Sequence, residues 1–245
     1  MVKKKTVQGL MALTVLLWST GSVQARDLLK DVQADVFVLG GGSTLVDAQY
    51  FDSAGRLMHS RFDVGPKFSV GVAVPYGKLL NIETAFSGGP NNLWLTNTNI
   101  FPHTQSDGSV VEYPARFYAG SLSAVFHAPF SYRHFRPYAE GGVEYDRYTP
   151  TRGAIATARN HGWATVNTAL LTHNDKFGMN VGVGIDRKFT KRITFRIDLR
   201  DHITSSPAFG IPPAQTEASI AIFPVKGRAN NIMYTAGILY HLGKL

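Results

Sequence analysis

From Phe177 to Asp186 an apolar residue stands at every second position. Phe177, Met179, Val181, Val183 and Ile185 alternate with Gly178, Asn180, Gly182, Gly184 and Asp186. This is the period of a β-strand with two unlike faces. After the basic turn 187–192 the alternation resumes, with Ile193, Phe195, Ile197 and Leu199 against Thr194, Arg196, Asp198 and Arg200. The two runs predict a tight β-hairpin.

The same period recurs along the chain. A first strand is expected over about Asp35 to Gly42, where Val36, Phe37, Val38 and Leu39 are all apolar and leave the facing open. A longer connection follows to about Pro66. The second strand sets Phe68, Val70, Val72 and Val74 against Lys67, Ser69, Gly71 and Ala73, and Pro75-Tyr76-Gly77 ends it in a turn. The third places Leu80, Ile82, Thr84 and Phe86 opposite Asn81, Glu83, Ala85 and Ser87, then opens into a Gly/Pro/Asn/Thr-rich loop from Gly88 to Tyr113. The fourth covers about Arg116 to Phe126. The fifth sets Pro137, Ala139, Gly141, Val143 and Tyr145 against Tyr138, Glu140, Gly142, Glu144 and Asp146. Loops are expected over Tyr148 to Lys176 and His202 to Asn230, before a last strand alternating Ile232, Tyr234, Ala236, Ile238, Tyr240 and Leu242 with Met233, Thr235, Gly237, Leu239 and His241.

The pattern therefore predicts eight strands joined by connections that run long, short, long, short, long, short, long. Alternating loop length is the mark of a membrane barrel, and an even strand count returns both chain ends to one side. The fold class expected is all-β: an eight-stranded antiparallel up-and-down transmembrane β-barrel. A soluble sandwich or barrel is the competing architecture.

In such a barrel the less apolar faces turn inward, bringing Glu83, Glu140, Glu144, Asp186, Arg196, Asp198 and Arg200 into one lumen. An unpaired charge in a narrow, partly dry interior costs several kcal/mol, so acids and bases sharing it are expected to pair. An eight-stranded interior is about wide enough for side chains to fill, which favours a plug over an open pore. Tyr145, Phe177, Tyr234 and Tyr240 stand near strand ends on the apolar faces, where membrane-interface aromatics belong.

The first residues change the compartment. Met1 to Ala25 has a basic start (Lys3, Lys4, Lys5), an apolar stretch from about Leu10 to Trp18 and a small-residue ending, the plan of a secretory signal cleaved after Ala25. The apolar stretch is well short of the ~20 residues that span a bilayer. The barrel domain is then expected over 26–245. Cleavage lowers the basic residues from 25 to 22 against 17 acids, and the net charge from +8 to +5, too mild for a nucleic-acid partner. With no cysteine, disulfides, thiol catalysis and Cys-based zinc sites are excluded.

The segments Phe135 to Tyr145, Phe177 to Asp186 and Ile193 to Arg200 resemble the outer-membrane β-barrel family of small OmpA-like and OmpX-like domains. The resemblance implies an eight-stranded barrel in a Gram-negative outer membrane, with both termini periplasmic. It also implies periplasmic chaperones and the barrel-assembly machinery as partners. The family's terminal strand usually finishes on an aromatic residue; here Gly237, Tyr240 and Leu242 look like a shifted assembly signal, followed by Gly243-Lys244-Leu245. With the chain ending there, no wall-binding domain is expected.

Candidate chemistry is sparse. Arg200 to Ser206, with Glu217 later, resembles the lipid A deacylase barrels, which use a Ser-His-Glu set facing lipid. Here the hydroxyl two residues after His202 is Thr204, and such chemistry needs a hydroxyl held by a base that a carboxylate orients. The segment reads instead as strand end and loop start, and no catalytic residue is assigned. His59, His103, His127, His134, His161, His173 and His241 are scattered singly, so no metal and no cofactor is expected. Gly40-Gly41-Gly42 precedes no helix and is not a phosphate loop. Arg152, Arg159, Lys176, Lys226 and Arg228 fall in the loops, where basic groups could meet lipopolysaccharide phosphates.

The function expected is that of a non-enzymatic, monomeric outer-membrane barrel with a charge-paired lumen and long outer loops, in surface interaction or envelope integrity. The alternatives are a porin-like channel for small solutes or hydrophobic compounds and, behind it, a lipid A-modifying hydrolase.

Overall fold

A computed structural model describes residues 33–45, 48–51, 57–62, 65–91, 93–96, 111–155, 172–205 and 228–242. Twelve strands are described: β1 (Ala34–Leu45), β2 (Ala48–Phe51), β3 (Leu57–Phe62), β4 (Gly65–Tyr76), β5 (Leu80–Pro90), β6 (Leu93–Thr96), β7 (Val111–Tyr113), β8 (Ala115–His127), β9 (Phe135–Pro150), β10 (Asn174–Lys188), β11 (Ile193–Ser205) and β12 (Arg228–Leu242). Eight of them close into an antiparallel barrel in the order β1-β12-β11-β10-β9-β8-β5-β4. Each strand pairs with its chain neighbour in the barrel, and β1 closes on β12 with Val36 opposite Tyr240 and Gly40 opposite Ala236. Closure satisfies the backbone hydrogen bonds of every barrel strand, the condition for β-structure in lipid.

The long connections expected before Pro66 and over Gly88 to Tyr113 are corrected in part. They contain β2, β3, β6 and β7, which form a second sheet in the order β2-β3-β6-β7, with His59 opposite Thr96 and Leu93 opposite Tyr113. Pairing between such short segments, up to 37 residues apart for His59 and Thr96, is invisible to local periodicity. The barrel strands also outrun their expected ends: β9 continues to Pro150, β10 begins at Asn174, β11 reaches Ser205 and β12 starts at Arg228. The chain from His202 to Ser205, expected as the start of a loop, is thus paired strand, with Ser205 opposite Arg228. The expected signal segment, its cleavage point Ala25, and Arg159, Glu217 and Lys226 lie outside the described residues.

Three tight turns define one end of the barrel, the turn end, where Ala34 and Leu242 also lie. Gly77, with φ 89°, allows the reversal between β4 and β5. Between β8 and β9, Tyr132 and Phe135 exchange backbone hydrogen bonds of 2.9 and 2.8 Å. The two intervening residues, Arg133 and His134, both have positive φ (49° and 69°). Positive φ at both central positions is the geometry of a type I′ turn, whose twist matches that of the strands. Between β10 and β11, the Thr190 hydroxyl accepts from the backbone N–H groups of Arg192 (3.2 Å) and Ile193 (3.0 Å).

The outer wall is apolar. Val38, Val143, Val181, Val183, Ile197 and Ile238 are each about half exposed or more, forming a surface far too continuous for water. Aromatics mark its edges. Toward the loop end the Tyr145 and Phe177 rings meet edge to face at 5.1 Å. Beyond them Arg147 makes a two-pronged ion pair with Asp175 at 2.7 and 2.9 Å. Toward the turn end the Arg187 guanidinium lies over the rings of Phe135 and Phe189. An apolar band between two aromatic and charged edges is the profile of a wall that sits in lipid.

The charged lumen as candidate functional site

β1 resolves the facing that its run of apolar residues leaves open. Phe37 and Leu39 point inward and Val36 and Val38 outward, because closure against β12 and β4 fixes its register. Phe37 and Leu39 pack with Ala85 and Leu239 into an apolar cluster. Phe117, Val125 and Met233 are also buried, so much of one side of the lumen is hydrocarbon, with Ser69, Glu83 and Ser87 set into it.

The other side is charged and is built on β9, β10 and β11. Glu140 on β9 and Arg200 on β11 are both register partners of Gly182 on β10. With no side chain at Gly182, the carboxylate and guanidinium meet over it: Arg200 Nη2 donates to Glu140 Oε2 at 2.8 Å, and Nε approaches Oε1. A Cβ at Gly182 would collide with Glu140 Oε1. One row toward the turn end the device repeats. Tyr138 and Asp198 flank Gly184, and the Tyr138 hydroxyl donates to Asp198 Oδ1 at 2.7 Å. The glycines that alternate along β10 therefore leave space for charged side chains to reach across a strand.

At the next row, Asp186 and Arg196 are direct register partners. Arg196 grips Asp186 with Nε (2.8 Å) and Nη2 (2.9 Å), and its Nη1 donates across the lumen to Glu83 Oε1 on β5 at 2.7 Å. The two-pronged geometry suits a planar guanidinium and adds direction to charge. His127 Nε2 lies 3.0 Å from Asp186 Oδ2, and the Arg196 guanidinium stacks over the Tyr138 ring at 4.6 Å. Arg196 and Arg200 are fully buried, and each is held by two carboxylates: Glu83 and Asp186 for the first, Glu140 and Asp198 for the second.

Below this belt the turn end opens into a cavity of about 610 Å³, whose lining includes Asp35, His127, Arg136, Asp186, Lys188 and His241. Arg136 is committed to the carbonyls of Ala128 (3.2 Å) and Lys78 (2.6 Å). The Asp35 carboxylate pairs with His241 across the β1–β12 junction.

Toward the loop end, Glu144 Oε2 lies 2.6 Å from His202 Nδ1, and Asp146 lies buried beside them. The donor atoms of these three residues lie within 4.8 Å of one another. The Phe117 ring meets the imidazole edge-on at 5.6 Å.

No protein-family model and no curated protein matches the chain. Solved structures do. The outer membrane protein OprG from Pseudomonas aeruginosa superposes with a TM-score of 0.53 at 11% identity, over 88% of this chain and 99% of that one. Neisserial surface protein A follows at 0.50 and 10%, over 84% and 96%. The fold is that of the small eight-stranded outer-membrane barrels. A more distant match, the outer membrane protease OmpT from Escherichia coli, has a TM-score of 0.37 at 8% identity, over 86% of this chain and 97% of that one.

All seven charged residues selected for the lumen lie inside this outer-membrane barrel fold, but they do not form one network. Glu83, Asp186 and Arg196 make one group, Glu140, Asp198 and Arg200 a second. Glu144 joins His202 instead. His202 and Thr204 are buried in the barrel interior, with the Thr204 hydroxyl 3.4 Å from that of Tyr148; neither faces lipid. The grouping of Asp146 and His202 with Glu144 escapes a search for close histidine pairs, because His202 lies two strands away from the carboxylates. The signal present in the sequence is Glu144-x-Asp146, two acids on one inward face. Of the expected assembly signal, Gly237 lies on β12 opposite Leu39, and a Cβ there would strike the β1 backbone at Val38 and Leu39. Tyr240 is outward, and its hydroxyl accepts from Arg192 at 3.3 Å.

Proposed function

We propose that this chain is an integral outer-membrane barrel whose lumen is a structural plug, and that its work is done at the cell surface by the loop end rather than by catalysis or constitutive transport. The observation that carries this reading is the complete burial of Arg196 and Arg200, each tied to two carboxylates. Side chains held this way fill the interior of a barrel of eight strands, and moving them aside would strand several charges in a low dielectric. The burial of His202 and Thr204 speaks against a lipid-facing hydrolase. In this reading both termini are periplasmic, and the barrel is a monomer that chaperones and the assembly machinery deliver. Basic loop-end residues such as Arg152 and Arg228 then meet lipopolysaccharide phosphates.

The turn-end cavity favours a second reading, a channel for small solutes entered from that side. Planar-bilayer recording on refolded protein separates the two. The plug predicts no steady conductance from the native barrel and the appearance of one in Glu140→Ala or Arg196→Ala. Steady conductance from the native protein would establish the channel.

A further inference from the structure

The carboxylate of Asp146 is fully buried, and neither of its oxygens has a hydrogen-bond partner. It stands in a layer where open valences converge. Glu144 Oε1 and His202 Nε2 also lack partners. So do Nδ2 of Asn180 and both amide atoms of Asn231, the two register partners of His202 on its flanking strands. Buried polar atoms are nearly always satisfied, and a layer in which this many unpartnered ones converge is built to receive a polar group.

Charge indicates its sign. Among the described residues the buried acidic side chains are Glu83, Glu140, Glu144, Asp146, Asp186 and Asp198, whereas the buried lysine and arginine side chains are Lys67, Arg196 and Arg200. The two arginines are shared among four of these acids, and Lys67 is engaged with the Pro90 carbonyl. Glu144 and Asp146 are left with one imidazole. Lys176 is the register partner of Asp146 on β10, but no ion pair joins them. Water would satisfy hydrogen bonds here but bring no positive charge to the two buried acids.

The geometry points to a divalent transition-metal site formed by Glu144, Asp146 and His202. Their donor atoms lie within 4.8 Å of one another. Ligands about 2.0–2.2 Å from an ion stand roughly 3–4 Å apart, so small side-chain rotations close the site. Two carboxylates with an imidazole suit Zn²⁺ or Mn²⁺ better than Ca²⁺, which takes six to eight oxygens. The Asn180 and Asn231 amides are placed to hold metal-bound water.

The test uses refolded full-length barrel, stripped with chelator, titrated with CoCl2 as a visible probe and with ZnCl2, then assayed for retained metal. The expected result is one equivalent of metal per chain, lost in Asp146→Asn and in His202→Ala and kept in Lys176→Ala. The unheated gel mobility of each variant checks that it has folded. Should the ligand variants fail to fold, the wild-type protein alone decides: cobalt d–d bands and a chelator-reversible rise in unfolding temperature support the site. Failure of the wild type to retain metal overturns the proposal, as does equal retention by folded Asp146→Asn and His202→Ala.

Discussion

Glu140 and Arg200 lie on strands that do not touch, and they form their ion pair directly over Gly182 because that residue has nothing to put in the way. The stability of the charged belt thus rests partly on a residue that carries no charge. Replacing Gly182 by alanine pushes a methyl group into Glu140 and is expected to cost about 1–3 kcal/mol, the usual toll of overpacking. Gly40→Ala is the control: a Cβ there meets nothing within 4 Å, and its effect is expected to stay within about 0.5 kcal/mol. Urea unfolding in detergent micelles measures both, and equal midpoints for the two variants would contradict the account.

The Arg196 cluster makes a different kind of prediction. Arg196→Met leaves Glu83 and Asp186 buried without their cation and is expected to cost about 3–5 kcal/mol. Adding Glu83→Gln and Asp186→Asn to the same background removes the stranded charges. The triple variant is therefore expected to be more stable than the single one by at least ~1 kcal/mol. A triple variant weaker than the single would show that shape, not charge balance, dominates at this level of the lumen.

Lipid contact can be tested on the outer wall. Val183 is about half exposed in mid-strand, while Ile193 lies at the turn end of β11. Val183→Arg is expected to lower stability in bilayers by about 2–4 kcal/mol and Ile193→Arg by about 0–1 kcal/mol, following the depth dependence of a lipid-facing charge. Unfolding measured in vesicles reads the difference, and a flat response along the strand would argue against a lipid-facing wall.

The β8–β9 turn holds Arg133 and His134 in the left-handed region, which costs a residue with a side chain roughly 1 kcal/mol or more. His134→Gly relieves part of this and is expected to raise stability by about 0.5–1 kcal/mol. A thermal melt that moves down instead would mean that the His134 side chain contributes more than its backbone loses.

Barrel class and strand order were legible because nearly every strand carries its own two-residue alternation, the run of apolar residues at Val36 to Leu39 excepted, and Phe177 to Arg200 shows it on both sides of its turn. Strand ends were less so. Tyr148 and Ser205 belong to strands only because partners lie opposite them, which no local pattern reveals. The strands before Pro66 and in Gly88–Tyr113 were lost for the same reason. Inside the lumen, periodicity places Glu83, Asp186 and Arg196 on inward faces but does not say that Glu83 reaches Arg196 from the far wall. Which acid meets which base is decided by register and by the glycines between them. His202 looked like the end of a strand, and only pairing with β10 and β12 turns it toward Glu144 and Asp146.

The apolar side of the lumen has a consequence for how the molecule is assembled. The junction of β1 with β12 joins the two ends of the barrel, and its inner lining is uncharged over most of its length: Phe37, Leu39, Met233 and Leu239, with the polar Ser43, Asn231 and Thr235. The salt bridges of the belt are carried by other strands, so the seam can be drawn shut with uncharged hems on the inside and no lumen charge waiting for a partner along most of its length. At the turn end a single hydrogen-bonded stitch, Asp35 to His241, fastens the first residues of the barrel to its last.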